Sequence, residues 1–372
     1  METIGLYIHI PFCVSKCPYC DFYSLPSPDD SLLDAYTDAV IAAMDRWAMK
    51  RPMRANTLYF GGGTPPLLGG QRLSRLIRHA TERFALFEGE APEITMEANP
   101  ADDLKDVFDA FAQAGGNRVS LGMQSAHVGE LRSLGRRHTP MQLEHAVAAA
   151  RSAGIDNLSV DLMLGIPEQT VSSVIASVRH AARLGARHVS AYMLKLESGT
   201  PFGIQPPMLP DEDATADLYL AVIDALEREG YRQYEISNFA LPGYASRHNL
   251  KYWDSRPYLG LGPAASSCLD NRRFSYHRDI TAFIREDEPV TEPDGDIPTG
   301  SLLEYAMLRL RLTDGLQEEA LIARFGEGIP AVWRQRASVL PTSLLCVDEQ
   351  GIRLTSQGFL VSNSLICHIL GG

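Results

Sequence analysis

The sequence predicts an α/β fold: a parallel β/α barrel, incomplete at six strands, followed by a small α/β unit. Three observations predict it. Short β-branched or apolar runs alternate with amphipathic stretches over the first half of the chain, the pattern of parallel strands joined by right-handed helical crossovers. Most of those runs end in polar, glycine-rich or cysteine-bearing residues, and a barrel gathers the C-terminal ends of its strands at one mouth. No G-x-G-x-x-G follows the first run, which lowers the dinucleotide-binding open sheet.

The expected strands are Ile4–Ile10, Thr57–Phe60, Glu93–Glu97, Arg118–Met123, Leu158–Leu164 and His188–Leu194. The expected helices between them are Leu32–Lys50, Gln71–Phe87, Leu104–Ala114, Met141–Ala153 and Thr170–Leu184. The first strand runs into a cysteine loop. The second ends in Gly61-Gly62-Gly63-Thr64-Pro65, the third in Glu97-Ala98-Asn99-Pro100, the fourth near Gln124-Ser125. The fifth carries Asp161 and leads to Gly165-Ile166-Pro167. After Glu197 the pattern changes. Pro201–Pro210 is irregular, and Asp211–Gly230 is a helix with acidic residues at its start and glycine at its end. Gly260-Leu261-Gly262-Pro263 reads as a loop, and Asp287–Gly300 reads as a linker. A helical segment from Ser301, a turn at Gly315 and a strand at Gly351–Leu354 make the small unit. The division is 1–200 for the barrel, 201–290 for an extension and connecting region, and 301–368 for the C-terminal domain. There is no internal repeat at a solenoid period.

With 372 residues, 45% hydrophobic and 22% charged, the chain is long enough for one large domain and a smaller one. A formal net charge of −12 argues against a duplex nucleic-acid partner. The start of the sequence has no signal-peptide pattern, and no run of about 18 uninterrupted apolar residues exists to span a membrane. The expectation is a cytoplasmic protein without a transmembrane segment. The cysteine usage suits a reducing compartment, because it does not look like a disulfide framework.

Three of the six cysteines, Cys13, Cys17 and Cys20, form C-x3-C-x2-C within His9–Phe22. Three thiolates on one loop suit three irons of a four-iron cluster and leave the fourth iron open, since such clusters normally take four cysteines. Zinc, a redox pair and buried apolar cysteines are the alternatives. Zinc would want a second Cys/His pair at ligand spacing, and Cys268, Cys346 and Cys367 stand alone. The glycines after the second strand let backbone groups approach a ligand, or they make a plain turn. Glu97, Gln124, Arg136 and Asp161 are polar in or just past apolar strands, where each could also be a cap or a surface residue. Together they suit a nucleoside bearing an amino acid. Arg136 would fork onto a carboxylate, Glu97 would meet an ammonium, and Gln124 and Asp161 would bind ribose hydroxyls. His248 opens His-Asn-Leu-Lys-Tyr-Trp; it reads either as a loop histidine beside an aromatic contact or as an axial ligand to heme iron.

From Tyr7 to about Leu365 these residues resemble a known family. Tyr-x-His-Ile-Pro-Phe-Cys-x3-Cys-x2-Cys followed by Gly-Gly-Gly-Thr-Pro is similar to the radical S-adenosylmethionine (SAM) proteins, in the group around oxygen-independent coproporphyrinogen III oxidase. The resemblance implies a partial (β/α)6 barrel and a [4Fe-4S] cluster on Cys13, Cys17 and Cys20. It implies SAM contacts at Tyr7, Tyr19, Gly62, Gly63, Thr64, Glu97, Gln124, Arg136 and Asp161. The oxidase branch carries C-x3-C-x2-C-x-C and an N-terminal extension. Here Phe22 stands at the fourth cysteine position and the sequence starts three residues before Ile4. The chain therefore resembles the heme-chaperone branch, which has C-D-F after the loop and H-N-x-x-Y-W, here His248–Trp253. That branch implies heme at His248 and delivery to heme-acceptor proteins such as membrane respiratory enzymes. Leu308-Arg309-Leu310-Arg311, Arg324-Phe325-Gly326 and Leu354-Thr355-Ser356-Gln357-Gly358 resemble the family's end domain. One position departs: Ala126 follows Gln124-Ser125, where the family places an aromatic residue.

Overall fold

In the computed structural model, which describes all residues except 1, 27, 102, 287, 292–296 and 372, the expected strand–helix units form in order. They are β1 (Glu2–Ile10), α1 (Asp30–Lys50), β2 (Met53–Gly62), α2 (Gly69–Phe84), β3 (Glu93–Ala98), α3 (Lys105–Gln113), β4 (Arg118–Gln124), α4 (Pro140–Ser152), β5 (Asn157–Leu164), α5 (Val171–Arg183) and β6 (His188–Met193). Consecutive strands pair in parallel from β1 to β6. The helices start where side chains satisfy their first amides. Asp29 accepts from Leu32 N at 2.8 Å, and Thr139 with Gln142 and Thr170 with Ser173 form reciprocal capping boxes. The part of the expected Asp287–Gly300 linker at 287 and 292–296 lies outside the described residues.

Beyond β6 the chain returns to both edges of the same sheet. After α6 (Glu212–Arg228), β7 (Arg232–Gln233) and β8 (Asn238–Ala240) add antiparallel next to β6. A two-turn helix, α7 (Arg247–Trp253), precedes β9 (Tyr258–Leu261), β10 (Ser266–Leu269), β11 (Arg272–Ser275) and β12 (Val290–Thr291). The sheet order is β12-β11-β10-β9-β1-β2-β3-β4-β5-β6-β8-β7. Here β9 is a seventh parallel strand, paired with β1, where the sequence reading has a glycine loop. The pairing explains the glycine: a Cβ on Gly260 would lie 2.2 Å from Ser266 O. No ladder joins β9 to β6 among the described residues, so the barrel is open.

Strand alternation decides what the barrel encloses. On β1, Ile4, Leu6, Ile8 and Ile10 are fully buried in the apolar core, whereas Tyr7 and His9 lie on the other face. On β4, Val119, Leu121 and Met123 join the core and Arg118, Ser120, Gly122 and Gln124 line the interior. The interior of this barrel is therefore polar, layered by register. Tyr7, Tyr59, Thr95, Arg118 and Asn157 are successive partners across five strands. The α7 helix seals the base: Glu93 accepts from Arg247 N and His248 N at 3.0 Å each.

From Leu302 on, short helices surround a three-stranded antiparallel sheet of Leu316–Gln317, Gly351–Leu354 and Leu345–Val347. This unit docks through an Arg309–Asp254 ion pair and a hydrogen bond from Ile236 N to Arg311 O at 3.0 Å. Its apolar residues continue the core of the barrel. No helix among the described residues is long and apolar enough to cross a membrane.

Candidate functional site

The cysteine loop leaves the C-terminal end of β1 and is pinned at several points. Phe12–Cys13 pairs with Leu25–Pro26, the Tyr36 hydroxyl donates to His9 O at 2.6 Å, and Phe202 N donates to Pro18 O at 3.0 Å. Cys13, Cys17 and Cys20 are free, partly exposed thiols on the wall of one cavity of about 460 Å³. Thr64 Oγ1 lies 3.6 Å from Cys13 Sγ and Arg136 Nη1 lies 3.5 Å from Cys17 Sγ. Burial, with Cys17 and Cys13 nearby, pushes the Cys20 thiol up. Among the described residues no three His, Cys, Asp or Glu side chains converge on a single-ion position. Three free thiols on one cavity wall suit a group that takes one thiolate per iron.

Gly62 and Gly63 have a packing reason as well as a place at the cavity. Gly62 has φ +103°, and a Cβ there would lie 2.6 Å from the His9 ring. A Cβ on Gly63 would lie 2.4 Å from Phe12 O. Side chains here would push the cysteine loop off β2, whose following residues bind it through Gly63 N to Ile10 O at 2.8 Å and Thr64 N to Phe12 O at 2.7 Å.

The polar candidates surround the same cavity. Glu97 accepts from the Tyr59 hydroxyl at 2.8 Å and from Gly62 N at 3.2 Å. Burial, and then the negative charge of Asp161, push its carboxyl up to about 7. Burial also raises Asp161, although Ser120 Oγ donates to it at 3.1 Å. Two carboxyls held this close favour a bound cation or hydroxyl donors. Gln124 has φ +61° at a register break in β4, a strained backbone that turns it into the cavity. Arg136 donates to Gly122 O at 2.9 Å, and its Nε is buried without a partner. The donor set thus has acceptors for an ammonium and hydroxyls, a guanidinium for a carboxylate, and three thiolates beside them. Both a [4Fe-4S] cluster and SAM fit it.

The structure brings together Cys13, Cys17, Cys20, Tyr19, Gly62, Gly63, Thr64, Glu97, Gln124, Arg136 and Asp161 at one cavity. Tyr7 stands behind it: its hydroxyl bonds His9 Nδ1 at 3.0 Å and its ring lies 6.2 Å from that of Tyr59. His248 is at the opposite end of the barrel, 1% exposed. Its Nδ1 bonds Thr57 Oγ1 at 2.9 Å, its Nε2 bonds the Tyr252 hydroxyl at 2.8 Å, and its ring stacks on Tyr59 at 5.1 Å. Burial and the charges of Lys251 and Arg118 lower it to about 3, so the imidazole is neutral. As placed, both ring nitrogens are engaged. Ala126 packs against the core, and its N donates to the Ser177 hydroxyl at 3.0 Å.

Sequence reasoning missed Tyr59, Arg118, Ser159, His188 and Tyr192, which also line the cavity. The signal was present: polar residues alternate with apolar ones in Arg118-Val119-Ser120-Leu121-Gly122-Met123-Gln124.

Fold and site together define a radical SAM protein, and residues 7–181 match the radical SAM superfamily. Over 372 residues the chain is 34% identical to the heme chaperone HemW of Escherichia coli K12, covering 98% of each chain. It is 33% identical to heme chaperone HemW of Lactococcus lactis, covering 96% of this chain and 95% of that one. The chain belongs to the HemW family. Coproporphyrinogen III oxidase (HemN) from Escherichia coli superposes with a TM-score of 0.82 over 99% of this chain and 90% of that one, at 21% identity, which shows a shared fold.

Proposed function

We propose that this protein is a heme chaperone, which binds heme and passes it to acceptor proteins while carrying a [4Fe-4S] cluster and exchangeable SAM. The observation that carries the reading is the near full-length similarity to proteins named heme chaperone HemW, at 34% and 33% identity. Phe22, exposed at the cavity where the oxidase pattern has a fourth cysteine, supports it.

Cys13, Cys17 and Cys20 would hold the cluster, and Glu97, Gln124, Arg136 and Asp161 would bind SAM, with Tyr19, Gly62, Gly63 and Thr64 shaping its pocket and Tyr7 backing Tyr59. When bound, these groups supply one-electron chemistry. The residues of the chain bind and orient: Tyr59 and Gly62 fix the Glu97 carboxylate, and Gly122 O fixes Arg136. Heme would take the neutral His248 as ligand after Nε2 gives up its bond to the Tyr252 hydroxyl and the helix that carries both residues moves to expose the buried ring. The acceptors we infer are membrane respiratory enzymes, reached by docking from the cytoplasm.

A heme titration tests the reading. Wild-type protein binds heme, His248→Ala binds about tenfold more weakly or worse, and Tyr252→Phe, which frees Nε2, binds at least as well as wild type. Unchanged affinity in His248→Ala removes this residue as ligand. Anaerobic conversion of coproporphyrinogen III to protoporphyrinogen IX by the reconstituted protein would replace the chaperone reading with the oxidase one.

A further inference from the structure

We propose that Lys251 and Arg256, at the C-terminal end of the α7 helix and just past it, bind the two carboxylate arms of the porphyrin whose iron His248 takes. The inference deepens the heme reading and rests on it. Lys251 follows His248 by three residues, so the two side chains are neighbours on one face of the helix, about 4.5 Å apart along its axis. Both lie over Gly5 of β1: a Cβ there would be 2.9 Å from Lys251 Cδ and 3.3 Å from His248 Cε1. Arg256 is tied to the same turn, its N donating to Lys251 O at 2.8 Å. His248 is buried, Lys251 is partly buried and Arg256 is exposed, so the three grade from the base of the barrel out to solvent.

Among the described residues, no hydrogen bond or ion pair engages the Lys251 ammonium or the Arg256 guanidinium. The carboxylates nearby serve other groups. Asp254 is paired with Arg309, Glu93 accepts from Arg247 N and His248 N at 3.0 Å each, and Glu90 pairs with Arg247 at 3.2 Å. Arg324, from the C-terminal unit, adds another positive charge, because its guanidinium donates to the carbonyls Asp254 O and Ser255 O at 3.1 and 3.0 Å. The balance shows at Lys251. Burial, then the charges of Arg256 and Arg247, lower its amine to about 8, against the opposing pull of Asp254 and Glu93. A partly buried ammonium in that field is costly until an anion pairs with it. This positive edge belongs to a chain whose net charge is −12.

A monocarboxylate would pair with one of the two cations. Two carboxylates on flexible arms pair with both, Lys251 as a point charge on a long stem and Arg256 as a planar fork. A heme presents such a pair at one edge of a flat apolar ring. Tyr252 and Tyr258, whose rings meet edge to face at 4.6 Å, put aromatic surface beside the same turn. Pairing at this edge needs no preformed cavity, because Arg256 is exposed and Lys251 partly so. It holds the porphyrin against α7 while the helix moves to bare His248.

The test is absorbance titration of the full-length protein with heme and with heme dimethyl ester, which keeps the iron and the ring and lacks the two negative charges. Wild type binds heme about tenfold or more tightly than the ester. Lys251→Gln lowers heme affinity about tenfold and Arg256→Gln about threefold, and neither changes the affinity for the ester. The Soret band of bound heme keeps its wild-type position in both variants, because the iron ligand is intact. Arg256→Gln, at an exposed position, keeps the test alive if Lys251→Gln does not fold. Equal binding of heme and ester by wild type overturns this inference and leaves the heme reading standing. Failure of wild type to bind either compound overturns the heme reading, and this inference with it. Equal losses for heme and ester in the variants assign the two cations to the shape of the helix instead of the ligand, and overturn the inference as well.

Discussion

Glu97→Gln separates the charge of the site from its shape. Burial and Asp161 push the Glu97 carboxyl up to about 7, from a value near 4.5 in the unfolded chain. A folded-state pKa above the unfolded one means stability that is fully present below about pH 4.5 and lost as pH rises through 7. The loss for the ligand-free protein is about 3 kcal/mol by pH 8. Glutamine carries no such cost. It keeps one acceptor for Gly62 N and turns its amide donor toward the Tyr59 hydroxyl oxygen, a loss of about 1 kcal/mol. Ligand-free Glu97→Gln is therefore less stable than wild type at about pH 5 and more stable, by about 2 kcal/mol, at about pH 8. SAM binding moves the other way. Only the ionised carboxylate pairs with an ammonium, so wild type binds SAM about 10- to 100-fold more tightly than the variant at pH 8, and the ratio shrinks toward pH 5.5. Urea denaturation and equilibrium SAM titration at both pH values measure the two effects. Parallel stability profiles, or a SAM affinity ratio that does not change with pH, would refute the assignment of Glu97 as the buried counter-charge for SAM.

Cys17→Ser or Cys20→Ser prevents cluster loading, so iron content and visible absorbance after reconstitution fall to background. The same change at the exposed Cys346 leaves both at the wild-type level. Gly63→Ala places a Cβ 2.4 Å from Phe12 O, a backbone atom, and costs about 1–3 kcal/mol in urea denaturation because the cysteine loop has to move. Asp254→Asn removes the charge facing Arg309, which is 8% exposed, and lowers stability by about 3 kcal/mol; an unchanged denaturation midpoint would show that the C-terminal unit does not depend on this pair.

The six parallel strands and their helices were legible because hydrophobic period and cap residues are local signals. Thr139, Thr170 and Asp211 mark helix starts in the sequence and cap them in the structure. Strand β9 was not legible: four residues including a glycine look like a loop until Gly260 is seen packed under Ser266 O. His248 was singled out by its motif, but spacing along the chain does not reveal that Thr57 and Tyr252 engage both of its nitrogens.

By itself the sequence determined the three-cysteine loop, the strand ends that carry Gly62, Glu97, Gln124 and Asp161, and the family to which they belong. All of these are contiguous patterns. Only the tertiary structure decided which face of each strand turns inward. Alternation divides a strand into two faces, but the helices choose between them by burying the apolar one. That choice enclosed Thr95, Arg118 and Asn157 in one layer at the base of the barrel. It also set His248 beneath them, far along the strands from the cysteines. Residues from four separate segments meet there, and no local pattern in the chain records their meeting.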